Sequence, residues 1–284
     1  MKSLRIGGVG VVSPAGVGTA FLPRPEGLTA WGASKLPDLD VSAYGWNGLK
    51  RHSRVVQYGS LAVGEALTSA GYETPLQAGI GQRIGLVVCT GCSNLNAIVA
   101  MYKDAENYGV NHVNPGLFPE TVMNAFAGHL SIYFQITGTS VTLSDAVPSP
   151  NSAMLYAYDL IASDRADAVI CCMVTIHPPT ALAEVMHGED ALVGAESVTA
   201  LLFERESMEP GAVNIRWETE SALEEGSAAP LVHPADAFLA AASAYHGLRS
   251  SKTKEQQWRT SGRSEGYYSF CVTTAMSAEE EHGE

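Results

Sequence analysis

Charge is scarce in this sequence, and positive charge is scarcer. Charged residues make up 17% of the chain, against roughly 25% in an average soluble protein. The 17 lysines and arginines face 30 aspartates and glutamates, for a net charge of -13. A protein that neutralises phosphates needs the opposite sign, so neither nucleic acid nor an anionic membrane surface is an expected ligand. No apolar run approaches the ~20 residues of a membrane span. The opening MKSLRIGGVGVVSPAGVG is apolar but broken by glycines, and reads as a strand and a turn rather than a signal peptide. Metal motifs are missing too. The C-x-x-C of Cys89 and Cys92 has no second copy, and the eight histidines show no H-x-x-x-H or H-E-x-x-H spacing. No metal and no cofactor is expected. The five cysteines, Cys89, Cys92, Cys171, Cys172 and Cys271, are an odd number outside any disulfide-rich scaffold. Reduced thiols in a soluble cytoplasmic protein are the expectation.

What the chain does have is apolar mass. Hydrophobic residues are 46% of 284, enough for a sizeable core in one large domain or two. Leu4 to Val12 reads as a strand, followed by a Pro/Gly loop to about Tyr44. The run from Ser53 to Ala70 has helical spacing and a stop at Gly71. Arg83 to Cys89, Ala168 to Ile176 and Val198 to Glu204 are short, continuously apolar and β-branched, as strands buried on both faces are. Helices are expected at Asn94 to Glu106, Pro119 to Gln135 and Pro150 to Ala162, the last nearly apolar all round. Ser140 to Leu143 reads as a short strand. This alternation predicts an α/β fold with a mostly parallel sheet covered on both faces. After residue 205 the texture changes. A strand at Val213 to Glu218 precedes an alanine-rich helix at Pro234 to Tyr245. Then come a polar loop from Arg249 to Glu265, a last strand at Tyr267 to Thr273, and an acidic tail. The expected division is 1–205 and a shorter segment, 206–284.

Few residues point to chemistry. Gly8-Val9-Gly10 follows a strand, but position 13 is Ser13 and Pro14 follows, so a strand-end turn is a better reading than a dinucleotide fingerprint. Cys89 and Cys92 read as small buried side chains rather than a redox pair, and His129 and His177 as hydrogen-bonded core histidines. The most informative stretch is SVTLSDAVPSPNS, residues 140–152. A strand enters, a sharp turn follows, and an apolar helix leaves. Such a turn aims the first helical amides at one point, where a nucleophile and an oxyanion belong. The turn is instead occupied by Ala146, Val147 and Pro148. Valine has no nucleophilic atom, and proline removes an amide donor. Ser144 and Ser149 flank the spot without an adjacent base.

Several segments in register resemble the β-ketoacyl synthases of fatty acid and polyketide synthesis, which have the thiolase fold. They are RIGGVGVVSPAG, LKRHSRVVQYGSLAVGEALTSAGY, RIGLVVCTG, NPGLFPETVMNAFAGHLSIYFQITG, GTSVTLSDAVPSPNSAMLYAYDLIASDRADAVICCMV and SVTALLFERES. The resemblance runs from about residue 4 to residue 205 and implies a thiolase-like fold whose second half is strongly reduced. It places Val147 where the family carries its nucleophilic cysteine. The two family histidine segments have no counterpart among the residues after Glu204. No catalytic residue is therefore expected, and condensation by the cysteine mechanism is closed to this chain alone. Some polyketide systems pair an active ketosynthase with a cysteine-less relative, the chain-length factor. The resemblance implies a similar non-catalytic subunit, joined as a heterodimer to a cysteine-bearing ketosynthase and reaching acyl carrier protein through that complex. It places Cys92, Asn94, Asn96, Ile98, Leu117, Phe118, Asn124 and Val147 at the acyl tunnel or partner interface, and the partner along Thr139 to Ser144. The alternative is a stand-alone acyl-thioester hydrolase or acyltransferase using Ser149 or Ser144.

Overall fold

The computed structural model describes residues 2–20, 22–23, 27–28, 31–44, 48–144, 149–179, 182, 195–220, 229, 231–250, 254–261 and 267–275. The acidic tail, 276–284, lies outside them. Strand β1 (Lys2–Ser13) is buried along most of its length, and β2 (Gly16–Val17) folds back on it. Helix α1 (Arg54–Ser69) starts after Ser53 and stops before Gly71, whose φ of 87° is the left-handed conformation that glycine tolerates. Then follow β3 (Ile84–Thr90), α2 (Leu95–Tyr108), α3 (Ala125–Phe134), β4 (Ser140–Ser144), α4 (Pro150–Ala162), β5 (Ala168–Thr175) and β6 (Ser197–Glu204). The later part contributes β7 (Val213–Glu220), β8 (Leu231–Val232), α5 (Ala237–Ser250), β9 (Glu255–Ser261) and β10 (Tyr267–Thr274).

The strands form one sheet in the order β4-β3-β5-β6-β1-β7-β10-β9-β8, with β2 beside β1. The sheet is mixed rather than mostly parallel. Parallel pairing is confined to β4-β3, β3-β5 and β8-β9, while β5-β6, β6-β1, β1-β7, β7-β10 and β10-β9 run antiparallel. Burial on both faces, not direction, is what makes β3, β5 and β6 continuously apolar: all seven residues of β3 are buried, and in β5 and β6 only the last of eight escapes full burial. Each face has its own core. Helices α1 and α3 cover one, and α4 and α5 the other. Adjacent cysteines divide between them, Cys171 toward α4 and Cys172 toward α1.

Gly8 and Gly10 are packing residues. A Cβ on Gly8 would lie 2.1 Å from the Ala66 carbonyl, and one on Gly10 would lie 1.9 Å from the Ala62 carbonyl. Helix α1 rests directly on the strand, which leaves no room for a phosphate cradle there. Beyond Arg5, where pairing with β7 ends, α1 also satisfies the strand's amides. Val9 N–H donates to Ser69 Oγ at 2.8 Å and Val11 N–H to Glu65 Oε2 at 3.2 Å.

Three expectations are corrected. The segment Pro119 to Gln135 is not one helix: Pro119–Thr121 makes a 3-10 turn, Val122 is extended, and α3 begins at Ala125. Helix α4 is not buried all round. It buries Ala153, Met154, Ala157, Leu160 and Ile161 on one face and exposes Tyr156. The polar stretch after Arg249 contains β9, anchored by Trp258, whose ring stacks on Phe270 at 5.4 Å and 8°.

Candidate functional site

The elbow is framed by β4 and α4. Residues 145–148, including Val147, lie outside the described residues. Ser144 is exposed at the end of β4. Ser149 caps α4, its Oγ accepting the Ser152 amide at 3.3 Å and the Ser152 hydroxyl at 3.0 Å. The Cys89 thiol reaches the Ser149 carbonyl at 3.9 Å, which places the end of β3 against the elbow. Burial pushes the Cys89 thiol up to about 12 and raises Cys92 as well. A redox or nucleophilic cysteine needs its pKa lowered, so both thiols behave as small apolar groups. The two core histidines differ from expectation in degree. His129 is half-buried, with Nε2 3.0 Å from Glu120 Oε1. His177 is more enclosed, its amide donating to Glu196 Oε1 at 3.1 Å.

Glu196 is the electrostatic hub on this side of the molecule. It is only 3% exposed. Its carboxylate accepts the amides of Leu36 at 3.0 Å and His177 at 3.1 Å, with the Arg54 guanidinium 3.7 Å away. Asp236, in the second part of the chain, is buried at the foot of α5. Burial pushes its carboxyl up to about 7, partly offset by the amide of Ala195.

Among the described residues, strand β4 ends the sheet: β3 pairs one of its sides, and none of its five residues is buried. Helix α2 has 14 residues, none of them buried. The turns that follow it, Val110–His112, Pro115–Leu117 and Pro119–Thr121, pack against it and carry further apolar side chains. Ile98, Tyr102, Tyr108, Val110, Val122 and Met123 are exposed, with Phe118 at 62% and Ile132 at 74%. Open strand edges and apolar patches of this kind are otherwise avoided or covered.

The residues singled out by resemblance fall in and around this face. Cys92 is buried where β3 turns toward α2. Asn94 stands at the start of α2, and its side-chain amide donates to the Thr121 carbonyl at 2.8 Å, tying the helix to the loop that carries Leu117 and Phe118. Asn96 and Ile98 are exposed on α2, and Asn124 is exposed just before α3. Leu117 is half-buried. One cluster was invisible in the spacing. His52, Glu120 and His129 come together although 77 residues separate the two histidines, because the loop folds back across the start of α1. The expectation of no metal-ligand set rested on local spacing, which carries no signal for a cluster assembled by tertiary contacts.

Comparison with known proteins is consistent with this geometry. The profile of the β-ketoacyl synthase N-terminal domain matches residues 38–188. The chain is 27% identical over 139 residues to a Vibrio harveyi 3-oxoacyl-[acyl-carrier-protein] synthase 2, covering 49% of this chain and 33% of that protein. The chain thus spans about a third of the length of that curated relative. Among solved structures, the fold matches a chain of AntDE:AntF, a type II polyketide synthase acyl-carrier protein in complex with its ketosynthase bound to the hexaketide. The TM-score is 0.73 at 15% identity, over 97% of this chain and 99% of that one. It also matches a chain of the ishigamide ketosynthase/chain length factor, with a TM-score of 0.68 at 15% identity over 97% and 100%. These likenesses establish the fold: thiolase-like, with a mixed sheet and helices on both sides. Among the described residues, no helix is long and apolar enough to cross a membrane.

Proposed function

The chain belongs to the β-ketoacyl synthase family, and on that premise we propose that it is the non-catalytic, chain-length-factor-like partner of a cysteine-bearing ketosynthase. The pair acts in type II polyketide or fatty-acid-like synthesis. The observation that carries this reading is α2, a 14-residue helix with no buried residue. An isolated helix of about 12–15 residues is marginal in water unless a packed face stabilises it. The partner supplies that packing and pairs with the open side of β4. Valine at the family's nucleophile position supports a division of labour: the partner's cysteine holds the growing chain, and this protein closes the far end of the tunnel.

Cys92, Ile98, Leu117 and Phe118 set the space available there, with Asn94 fixing the loop, Asn96 and Asn124 bordering it, and Val147 assigned to the tunnel or partner interface by its place in the family pattern. Side-chain volume is the variable that sets product length. Adding bulk to a packed pocket costs about 1–3 kcal/mol, enough to reject one further extension unit. Acyl carrier protein is met through the complex.

Affinity purification from the native source tests the pairing. A stoichiometric, cysteine-bearing ketosynthase is expected to co-elute. A lone chain carrying an acyl adduct on Ser149 or Ser144 would overturn the proposal and assign hydrolase or acyltransferase chemistry instead. In the reconstituted pair, Leu117→Trp is expected to shorten the product, and an unchanged chain length removes Leu117 from the tunnel.

A further inference from the structure

Three side chains outside the elbow meet where the loop after α2 reaches α1 and α3. His52 immediately precedes α1, Glu120 lies in the turn Pro119–Thr121, and His129 is on α3. One ligand atom from each lies within 4.8 Å of the others, and among the described residues this is the only such group of three. His129 Nε2 and Glu120 Oε1 are 3.0 Å apart. Two ligand atoms of a tetrahedral zinc, each at about 2.0 Å from the metal, stand about 3.3 Å from one another. The two imidazoles meet edge to face, with centroids 4.7 Å apart and planes at 61°. A simple ion pair between His129 and Glu120 gives no reason for His52 to be held there.

The behaviour of Ser53 is a second, independent observation. It occupies the N-cap of α1, where serine normally accepts a backbone N–H of the first turn. Here it makes no capping bond. Its hydroxyl donates instead to Glu120 Oε2 at 3.0 Å, which leaves Oε1 directed at His129. A hydrogen bond that orients a ligating carboxylate is the usual outer-shell support of a metal site.

We propose that His52, Glu120 and His129 form a site for a divalent transition metal, zinc above all, with a fourth position open to water. Two imidazoles and one carboxylate are a zinc donor set, borderline rather than hard. All three side chains are half-buried, so an ion reaches them from solvent. The metal takes the place of the proton between His129 Nε2 and Glu120 Oε1, and that proton passes to solvent or to Nδ1. Bound there, the ion clamps the start of α1, the loop carrying Leu117 and Phe118, and α3 into one unit.

The site is independent of the partner assignment, and its test needs no ketosynthase. Full-length, tag-free chain is stripped with EDTA, desalted, and titrated with zinc chloride in a calorimeter and with cobalt chloride in a spectrophotometer. One equivalent of zinc is expected to bind, cobalt is expected to give the intense visible absorption of a tetrahedral site, and zinc is expected to raise Tm. His52→Asn and Glu120→Gln are each expected to weaken zinc at least tenfold with an unchanged circular dichroism spectrum. His246→Asn, far from the cluster in the chain, is expected to leave binding unaltered. No stoichiometric zinc uptake by the native sequence, or uptake indifferent to both His52→Asn and Glu120→Gln, overturns the proposal.

Discussion

Two stretches of the same sheet end differently. At β1 the sheet is sealed: β6 and β7 pair with it, α1 lies on its glycines, and Ser69 and Glu65 take up the amides that no strand reaches. At β4 the sheet ends among the described residues, and no residue of β4 or of α2 is buried. Strand β10 of the second part, paired by β7 and by β9, provides a control. In β10, Tyr268, Phe270 and Val272 point inward, while Ser269, Cys271 and Thr273 alternate outward and are only partly exposed. A strand whose backbone is paired and whose outward side chains are polar is finished with respect to water. The surface of α2 and its loop is apolar and is not. The chain's close packing is concentrated in its own core, and α2 with its loop leaves large apolar side chains exposed.

Four substitutions test that contrast by stability, in order of expected size. Gly10→Ala forces a Cβ into the Ala62 carbonyl and is expected to destabilise by about 3 kcal/mol. Urea melts that show no loss would mean that the strand–helix seam is slack. Glu196→Ala strips the Leu36 and His177 amides and Arg54 of their acceptor and should cost about 2–3 kcal/mol. Thermal unfolding at neutral pH reads it.

Asp236→Asn goes the other way. The folded carboxyl holds its proton up to about pH 7, whereas the unfolded one loses it near the ordinary 3.8 of a free aspartate. The folded state therefore binds more protons across that window, and stability falls as pH rises through it. Asparagine removes the penalty. A gain on the order of 2 kcal/mol is expected at pH 8, and little change at pH 4; equal gains at both pH values would show that the carboxyl is not the cause. The smallest effect belongs to the open face. Phe118→Ser should change the stability of the lone chain by less than about 0.5 kcal/mol, as exposed positions do, while weakening co-purification of the partner. A large destabilisation of the lone chain would mean that the face is already packed.

Much of the fold was legible in order and type. The apolar runs of β3, β5 and β6 announce strands buried on both sides, and the Gly71 stop and helical spacing announce α1. Direction was not legible, since a two-sided strand reads the same whether its neighbour runs parallel or antiparallel. Strand β9 was missed because Trp258 gains its burial from Phe270, a contact no local pattern records. The broken helix before α3 was missed because Pro119 is compatible with the first turn of either kind of helix. At the site, the valine in the elbow was plain from the sequence. The open edge and the meeting of His52 with Glu120 and His129 were not.

The sequence by itself determined the family, the two-sided strands, and the absence of a cysteine at position 147, because residue identity and short-range periodicity are local properties of the chain. Only the tertiary structure decided that Gly8 and Gly10 exist for helix contact, that Ser53 turns from its helix to Glu120, and that neither α2 nor β4 buries a residue. Those facts depend on which distant segments touch. Touching is settled by close packing and by the need to satisfy each buried polar group, and neither can be counted until the chain has folded.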